Sequence, residues 1–291
     1  MNKKTGGDHL FDIVNGFVMV LLIIITIYPM YYVVIASITD PAEVMANTGM
    51  LLWPKSFSFV SYKLLFEYPM MFISYKNTII YMLLGTFISL SLTTLGGYAL
   101  SRTEVPGTKV IMVFIMFTMF FSGGLIPKFL LVQELNIIDT IWAIVLPGSL
   151  STMNLIIMRT SFMGVPKSLA ESARIDGAGD FIILFRIMLP LSLAILAVMT
   201  LFYAVSYWND FFTAMIYLKT REKYPLQLLL REILVTNSTD ELTVDMGNEK
   251  SLISQVIKYS TIVISTVPIL CVYPFLQKYF TKGIMIGAVK G

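Results

Sequence analysis

The sequence predicts an all-α integral membrane protein with six transmembrane helices, and three observations lead there. Of its 291 residues, 56% are hydrophobic and only 13% are charged, about half the roughly 25% expected of a soluble domain. A chain of this length has too little core volume to hide that much apolar surface from water. Six stretches reach or approach the ~20 uncharged apolar residues that a membrane-crossing helix requires: 13–38, 78–100, 110–126, 140–158, 187–208 and 259–275. Residues 1–291 are accordingly read as one transmembrane domain.

The first stretch follows Lys3 and Lys4 and runs uncharged to Ile38. That exceeds the ~7–15 residues of a secretory signal core, so it is read as a retained helix. Pro29, Pro190, Pro268 and Pro274 fall inside or at the ends of spans. Spanning helices tolerate proline where neighbours satisfy the freed backbone groups. The third and sixth stretches are short, and their helices are expected to extend a turn beyond the uncharged core.

None of the six cores contains Asp, Glu, Lys, Arg or His. Proton-coupled carriers place ionisable groups within the bilayer, so this pattern argues against one. Sodium coupling through carbonyl and hydroxyl oxygens stays open.

Basic residues are concentrated in short segments on one side of the six spans: Lys3 and Lys4; Arg102 and Lys109; Arg159, Lys167, Arg174 and Arg186; Lys278, Lys282 and Lys290. The other side spreads its basic residues over the long segments 39–77 and 209–258 and the medium segment 127–139 with Lys128. Because short basic loops stay inside, both termini are expected in the cytoplasm.

The segment 159–186 between the fourth and fifth spans is the most informative. Pro166 suits a helix start, since the amide it lacks would have no partner there. Gly177 suits a left-handed helix end, and Asp180 suits a cap for the next helix. Leu169, Ala170 and Ala173 share one face. The spacing predicts a short helix along the membrane surface whose small residues admit a close neighbour.

The same segment reads Glu171-Ser172-Ala173, three residues, Gly177, nine residues, then Ile187-Met188-Leu189-Pro190. This resembles the EAA motif of ABC importer permeases, with Ser172 in place of an alanine. Other stretches are similar to the sugar-permease branch: Gly97–Arg102, Gly123–Pro127 with Asp139-Thr140, Trp208–Phe211, and the ending Lys282–Gly291. The chain thus resembles a carbohydrate ABC transporter permease subunit, the six-span partner of a maltose-type pair, in the branch serving oligosaccharides and polysaccharide fragments.

The resemblance implies a bacterial plasma-membrane importer subunit that forms half of a translocation pathway and is not itself an enzyme. It implies a second permease chain, two ATPase subunits and an extracytoplasmic sugar-binding protein. ATP and Mg would be bound by the ATPase partner, and no cofactor by this chain. The EAA helix would couple to the ATPase through Leu169, Glu171, Ser172, Ala173, Asp176 and Gly177.

Other chemistries find no support. Net charge is +3 with no basic run, so no nucleic-acid patch is expected. One cysteine, Cys271, and one histidine, His9, make neither a disulfide nor a metal site. Residues 49–56 resemble a phosphate loop, but Pro54 stands where its second glycine belongs. Gly177-Ala178-Gly179 lacks the third glycine of a dinucleotide fingerprint.

A sugar needs neutral hydrogen-bonding groups and aromatic platforms. The candidates for the substrate pathway are Asn154 in span four and Tyr203, Tyr207, Trp208 and Asn209 at the end of span five, with Thr93 or Thr94 in span two. An acidic sugar would call for Lys or Arg along the path. The basic residues fall only in connecting segments, so the substrate's charge is left open.

Overall fold

The computed structural model describes residues 6–47, 49–102, 104–235, 253 and 256–271. Among them the structure is helical apart from one isolated antiparallel bridge, Thr39 with Phe57. The helices are α1 (Gly6–Ile38), α2 (Pro41–Ala46), α3 (Val60–Glu67), α4 (Pro69–Ser101), α5 (Thr108–Phe120), α6 (Leu125–Glu134), α7 (Ile141–Val145), α8 (Thr152–Met163) and α9 (Lys167–Ile175). They continue as α10 (Asp180–Leu191), α11 (Leu193–Trp208), α12 (Phe212–Tyr217), α13 (Leu226–Val235) and α14 (Val256–Cys271).

Among the described residues, two helices are long and apolar enough to cross a membrane unaided: Phe11–Ile38 within α1, and α4. Two bent pairs meet the test only together, α5 with α6 at 111° and α10 with α11 at 86°. The sequence predicted continuous helices over 110–126, 140–158 and 187–208, and each is broken. Phe120 ends α5, and the chain turns through Gly124 at φ 84°, ψ −179°, a region essentially restricted to glycine. Pro147 and Gly148 separate α7 from α8. Pro190 cannot donate within the helix, and α10 contains a π turn over Leu184–Met188 before it stops at Ser192. The end of the sixth predicted span, with Pro274, lies outside the described residues, as do Lys3, Lys4 and the ending Lys282–Gly291.

The chain sorts into two compact units, one from residues 1–69 and 232–267, the other from 70–231 and 268–291. In the first, α1 leaves Ile23, Ile24 and Ile25 more than half exposed, as suits a helix whose solvent is lipid or another membrane chain. Its C-terminal end packs Ile35 and Ala36 on Val44, Leu51 and Val256. Ser61 Oγ lies 2.7 Å from Ser260 Oγ, which donates to the Ser37 carbonyl at 3.3 Å. Hydroxyl bonds of this kind tie apolar helices together where burial alone supplies no drive. From α2, the Glu43 carboxylate takes the Lys55 and Ser56 amides at 3.0 and 3.1 Å, and these bonds hold it below the usual carboxylate range.

In the second unit α4 is the spine, because its small residues let neighbours approach. A Cβ on Gly97 would stand 2.9 Å from Met158 Cγ of α8, and one on Gly96 would stand 3.0 Å from Leu155. The small residues of α4 therefore serve contacts inside the chain. Near its start, Thr78 Oγ1 accepts the Leu226 amide at 2.7 Å, and Asn77 donates to the Glu222 and Tyr224 carbonyls.

Candidate functional site

Two features of the second unit carry the chemistry. The first is a cavity of about 540 Å³. The turn between α7 and α8 gives Pro147, Gly148 and Ser151. Helix α8 gives Asn154, and α6 gives Leu125 and Lys128. Helix α11 supplies Phe202, Tyr203, Ser206 and Tyr207, followed by Asp210 and, from α12, Phe212, Thr213, Ile216 and Tyr217. The cavity lies beside two of the breaks that interrupt the predicted spans, at Gly124 and at Pro147-Gly148.

Of the five pathway residues predicted in span four and at the end of span five, three meet here. Asn154 is 9% exposed, and its side-chain amide has no partner among the described residues. Tyr203 and Tyr207 also line the cavity, but their hydroxyls are already engaged. Tyr203 Oη lies 2.6 Å from Thr93 Oγ1 and accepts the Ser151 amide at 3.3 Å. Tyr207 Oη donates to the Val145 carbonyl at 3.0 Å and lies 3.0 Å from Ser89 Oγ. The two tyrosines therefore hold the broken segment against α4 and offer the cavity ring surface. Thr93 is fully buried beneath Tyr203.

The other two predicted residues lie elsewhere. Trp208 is buried against Tyr75, ring centroids 6.3 Å apart, and does not line the cavity. Asn209 is exposed and donates back to the Val205 carbonyl at 2.9 Å. Sequence reasoning missed Lys128, Ser151, Ser206 and Asp210. Lys128 lies in the connecting segment after the third predicted span, and that segment reaches the cavity. The bend at Gly124 makes the difference, because it turns α6 away from the line of α5 and packs Phe129 on Tyr217 of α12.

A brace outside the spans stabilises one wall. The Asp139 amide donates to the Tyr217 carbonyl at 2.9 Å. Its carboxylate accepts the Lys219 and Thr220 amides at 2.9 and 3.0 Å, the Thr220 hydroxyl at 2.5 Å and Lys223 Nζ at 2.7 Å. Partial burial opposes ionisation of Asp139, but the Lys223 and Thr220 bonds outweigh it and hold the carboxyl well below its ordinary range.

The second feature is α9. Its end follows from the sequence: Gly177 has φ 83°, the Ala178 amide donates to the Ala173 carbonyl at 2.8 Å, and the Gly177 amide donates to Arg174 at 3.0 Å. This is the Schellman pattern that satisfies the last carbonyls of a helix.

The expected small-residue face points the other way. Ala170 is buried and Ala173 half-buried against a cluster that includes Met158, Phe162, Ile183 and Leu184 of the same chain. What α9 leaves open is Leu169 at 44%, Ile175 at 87%, Glu171, Ser172 and Asp176. Asp180 is not a cap either, since Gly179 takes that position and makes no side-chain bond.

Instead Asp180 joins a charged network. Arg174 reaches Asp180 at 3.3 Å and Glu104 at 3.1 Å. Tyr98 Oη donates to Asp180 at 3.3 Å and accepts from Arg102, whose guanidinium also lies over the Tyr98 ring, 4.5 Å from its centroid. Asp180 and Glu104 hold the Arg174 proton more tightly than usual. The Glu104 carboxyl sits below its ordinary range because its own backbone amide and Arg174 favour the ion. The network ties α9 to the end of α4.

No family model matches the chain. It is 40% identical over 286 residues to the polygalacturonan/rhamnogalacturonan transport system permease protein YtcP of Bacillus subtilis, covering 98% of this chain and 99% of that one. Protein LplC of the same organism is 39% identical over 290 residues, covering 100% and 97%. Among solved structures, a chain of a bacterial ABC transporter involved in the import of the acidic polysaccharide alginate superposes with a TM-score of 0.91 at 34% identity. That match covers 96% of this chain and 100% of the other. With relatives of this identity matched end to end, the chain belongs to the membrane permease subunits of sugar and oligosaccharide ABC transporters.

Proposed function

We propose that this subunit forms half of the pathway of an ATP-driven importer of uronic-acid-bearing oligosaccharides and couples to its ATPase through α9. The observation that carries the reading is the Schellman-capped helix Lys167–Ile175, with Leu169, Glu171, Ser172, Ile175 and Asp176 exposed. Gly177 sets the exit of that helix, and Ala173 anchors its other face to the transmembrane core. Closure of an ATPase around α9 would pass into α8 and α10 through Ala170, and into α4 through Arg174.

In this reading the chain spans the membrane six times with both ends cytoplasmic. A second permease chain completes the path, two ATPase subunits bind ATP and Mg, this chain binds no cofactor, and an extracytoplasmic protein delivers the sugar. The acidic character of the substrate is supported by the names of two relatives, one acting on polygalacturonan and the other on alginate.

Reconstitution tests it. The chain is co-expressed with candidate partner permease, ATPase and binding protein, and uptake of galacturonate oligosaccharides into proteoliposomes is measured with and without ATP. Uptake that needs ATP and all four components is the expected result. Uptake by this chain alone would overturn the reading. Cysteines placed at Ser168 and Asn47 test the orientation: an impermeant reagent applied outside intact cells should label Asn47→Cys and spare Ser168→Cys.

A further inference from the structure

We infer that Lys128 is the residue of this chain that reads the carboxylate of the passing sugar, and so sets its preference for acidic over neutral oligosaccharides. The inference rests on the transporter reading above and adds a residue and a selectivity to it.

Lys128 lines the same cavity as Asn154. It makes no ion pair among the described residues. Asn154, nine-tenths buried, likewise has a side-chain amide without a protein partner there. Among the described residues the cavity therefore offers a ligand one ammonium outside any ion pair and one side-chain amide. Phe202, Tyr203 and Tyr207 add ring surface against which a pyranose lies. The remaining charge is Asp210, whose Oδ1 accepts the Thr213 amide at 3.0 Å. No ion pair links it to Lys128. Its free oxygen suits sugar hydroxyls, which are donors, whereas a uronate carboxylate is an acceptor and needs the ammonium.

The choice of lysine suits transit. A guanidinium grips a carboxylate bidentately in one geometry, whereas an ammonium on a four-carbon stem follows a moving anion. A pathway needs binding strong enough to admit its cargo and weak enough to release it.

The test uses the assembled importer in proteoliposomes, with trigalacturonate as the probe and its carboxyl-reduced, neutral counterpart as the comparison. Lys128→Gln should lower kcat/KM for trigalacturonate about five-fold, the scale of one partly exposed ion pair. Lys128→Arg should keep most of the preference for the acid, and Lys128→Glu should lose more than Lys128→Gln. The defect should shrink at high ionic strength, which a purely structural role of Lys128 would not produce. Lys109→Gln removes an exposed positive charge outside the cavity and should leave uptake as it was. Normal trigalacturonate uptake by Lys128→Gln overturns the inference, as does wild-type uptake confined to the neutral sugar. Either result leaves the importer assignment standing. Failure of the wild-type complex to take up any sugar with ATP overturns the assignment as well, and so is told apart from both.

Discussion

Gly85 and Gly177 mark the two working regions of the second unit, and a side chain at each would meet opposite surroundings. A Cβ on Gly85 would stand 2.5 Å from Cζ of Tyr207, with two more ring atoms within 2.7 Å. That ring cannot retreat, because its hydroxyl is bonded to Ser89 and Val145. A Cβ on Gly177 would meet nothing within 4 Å, yet the residue holds φ at 83°. One glycine is required by volume and the other by a dihedral angle. The braces differ in the same way. Asp139 behind the cavity is enclosed by four donors, whereas the Arg174 network beside α9 stands open to solvent. The cavity wall is held by enclosed contacts, and α9 by exposed ones.

The largest effect should follow from Gly85→Ala. Overpacking of this kind costs about 1–3 kcal/mol, so the purified complex should melt at a lower temperature and yield less folded protein. An unchanged melting temperature would show that the wall yields, and would break the contrast with α9.

Gly177→Val should cost less in stability, about 1–2 kcal/mol for a left-handed backbone. It should leave the subunit in the membrane while ATPase stimulation and uptake fall sharply. Gly177→Asn, which tolerates that backbone better, should fall between. Normal transport by Gly177→Val would remove α9 from the coupling path.

Asp139→Asn sharpens the contrast of braces. The folded state depresses this carboxyl below its ordinary value of about 3.9, so its stabilisation is present above that value. It is lost as pH falls through the still lower folded value. At neutral pH the variant should lose about 1 kcal/mol, the difference between hydrogen bonds to an ionised and to a neutral acceptor. The gap from wild type should narrow in acid. A gap that stays constant with pH would mean the charge is not what Asp139 contributes.

Arg174→Ala should change stability least, since exposed ion pairs contribute little. It should still weaken the dependence of ATP hydrolysis on the loaded binding protein. If coupling is unaffected, the network serves only to place α9.

Local features were legible in the chain and long-range ones were not. The long helices α1 and α4 appear where hydropathy put them, and α9 with its Gly177 end follows from residues within two turns of one another. The breaks at Gly124, Pro147-Gly148 and Ser192 were not foreseen, because an apolar count responds to composition and is blind to direction. Their signals, a Gly-Gly pair and two prolines, were present. In lipid such residues do not decide between a kink and a full reversal until neighbouring helices satisfy the freed backbone.

The membrane character, the family and the α9 motif needed nothing beyond residue order, since each depends on composition or on backbone bonds closed within a few residues. Which face of α9 is buried depended on Met158, Phe162 and Leu184 arriving from other helices. Whether Tyr203 and Tyr207 still had free hydroxyls depended on Thr93, Ser89 and Val145. That Lys128 enters the cavity depended on the reversal at Gly124. Each of these is a contact between segments far apart in the chain, and a side chain's partners across such a distance are settled by how the helices pack.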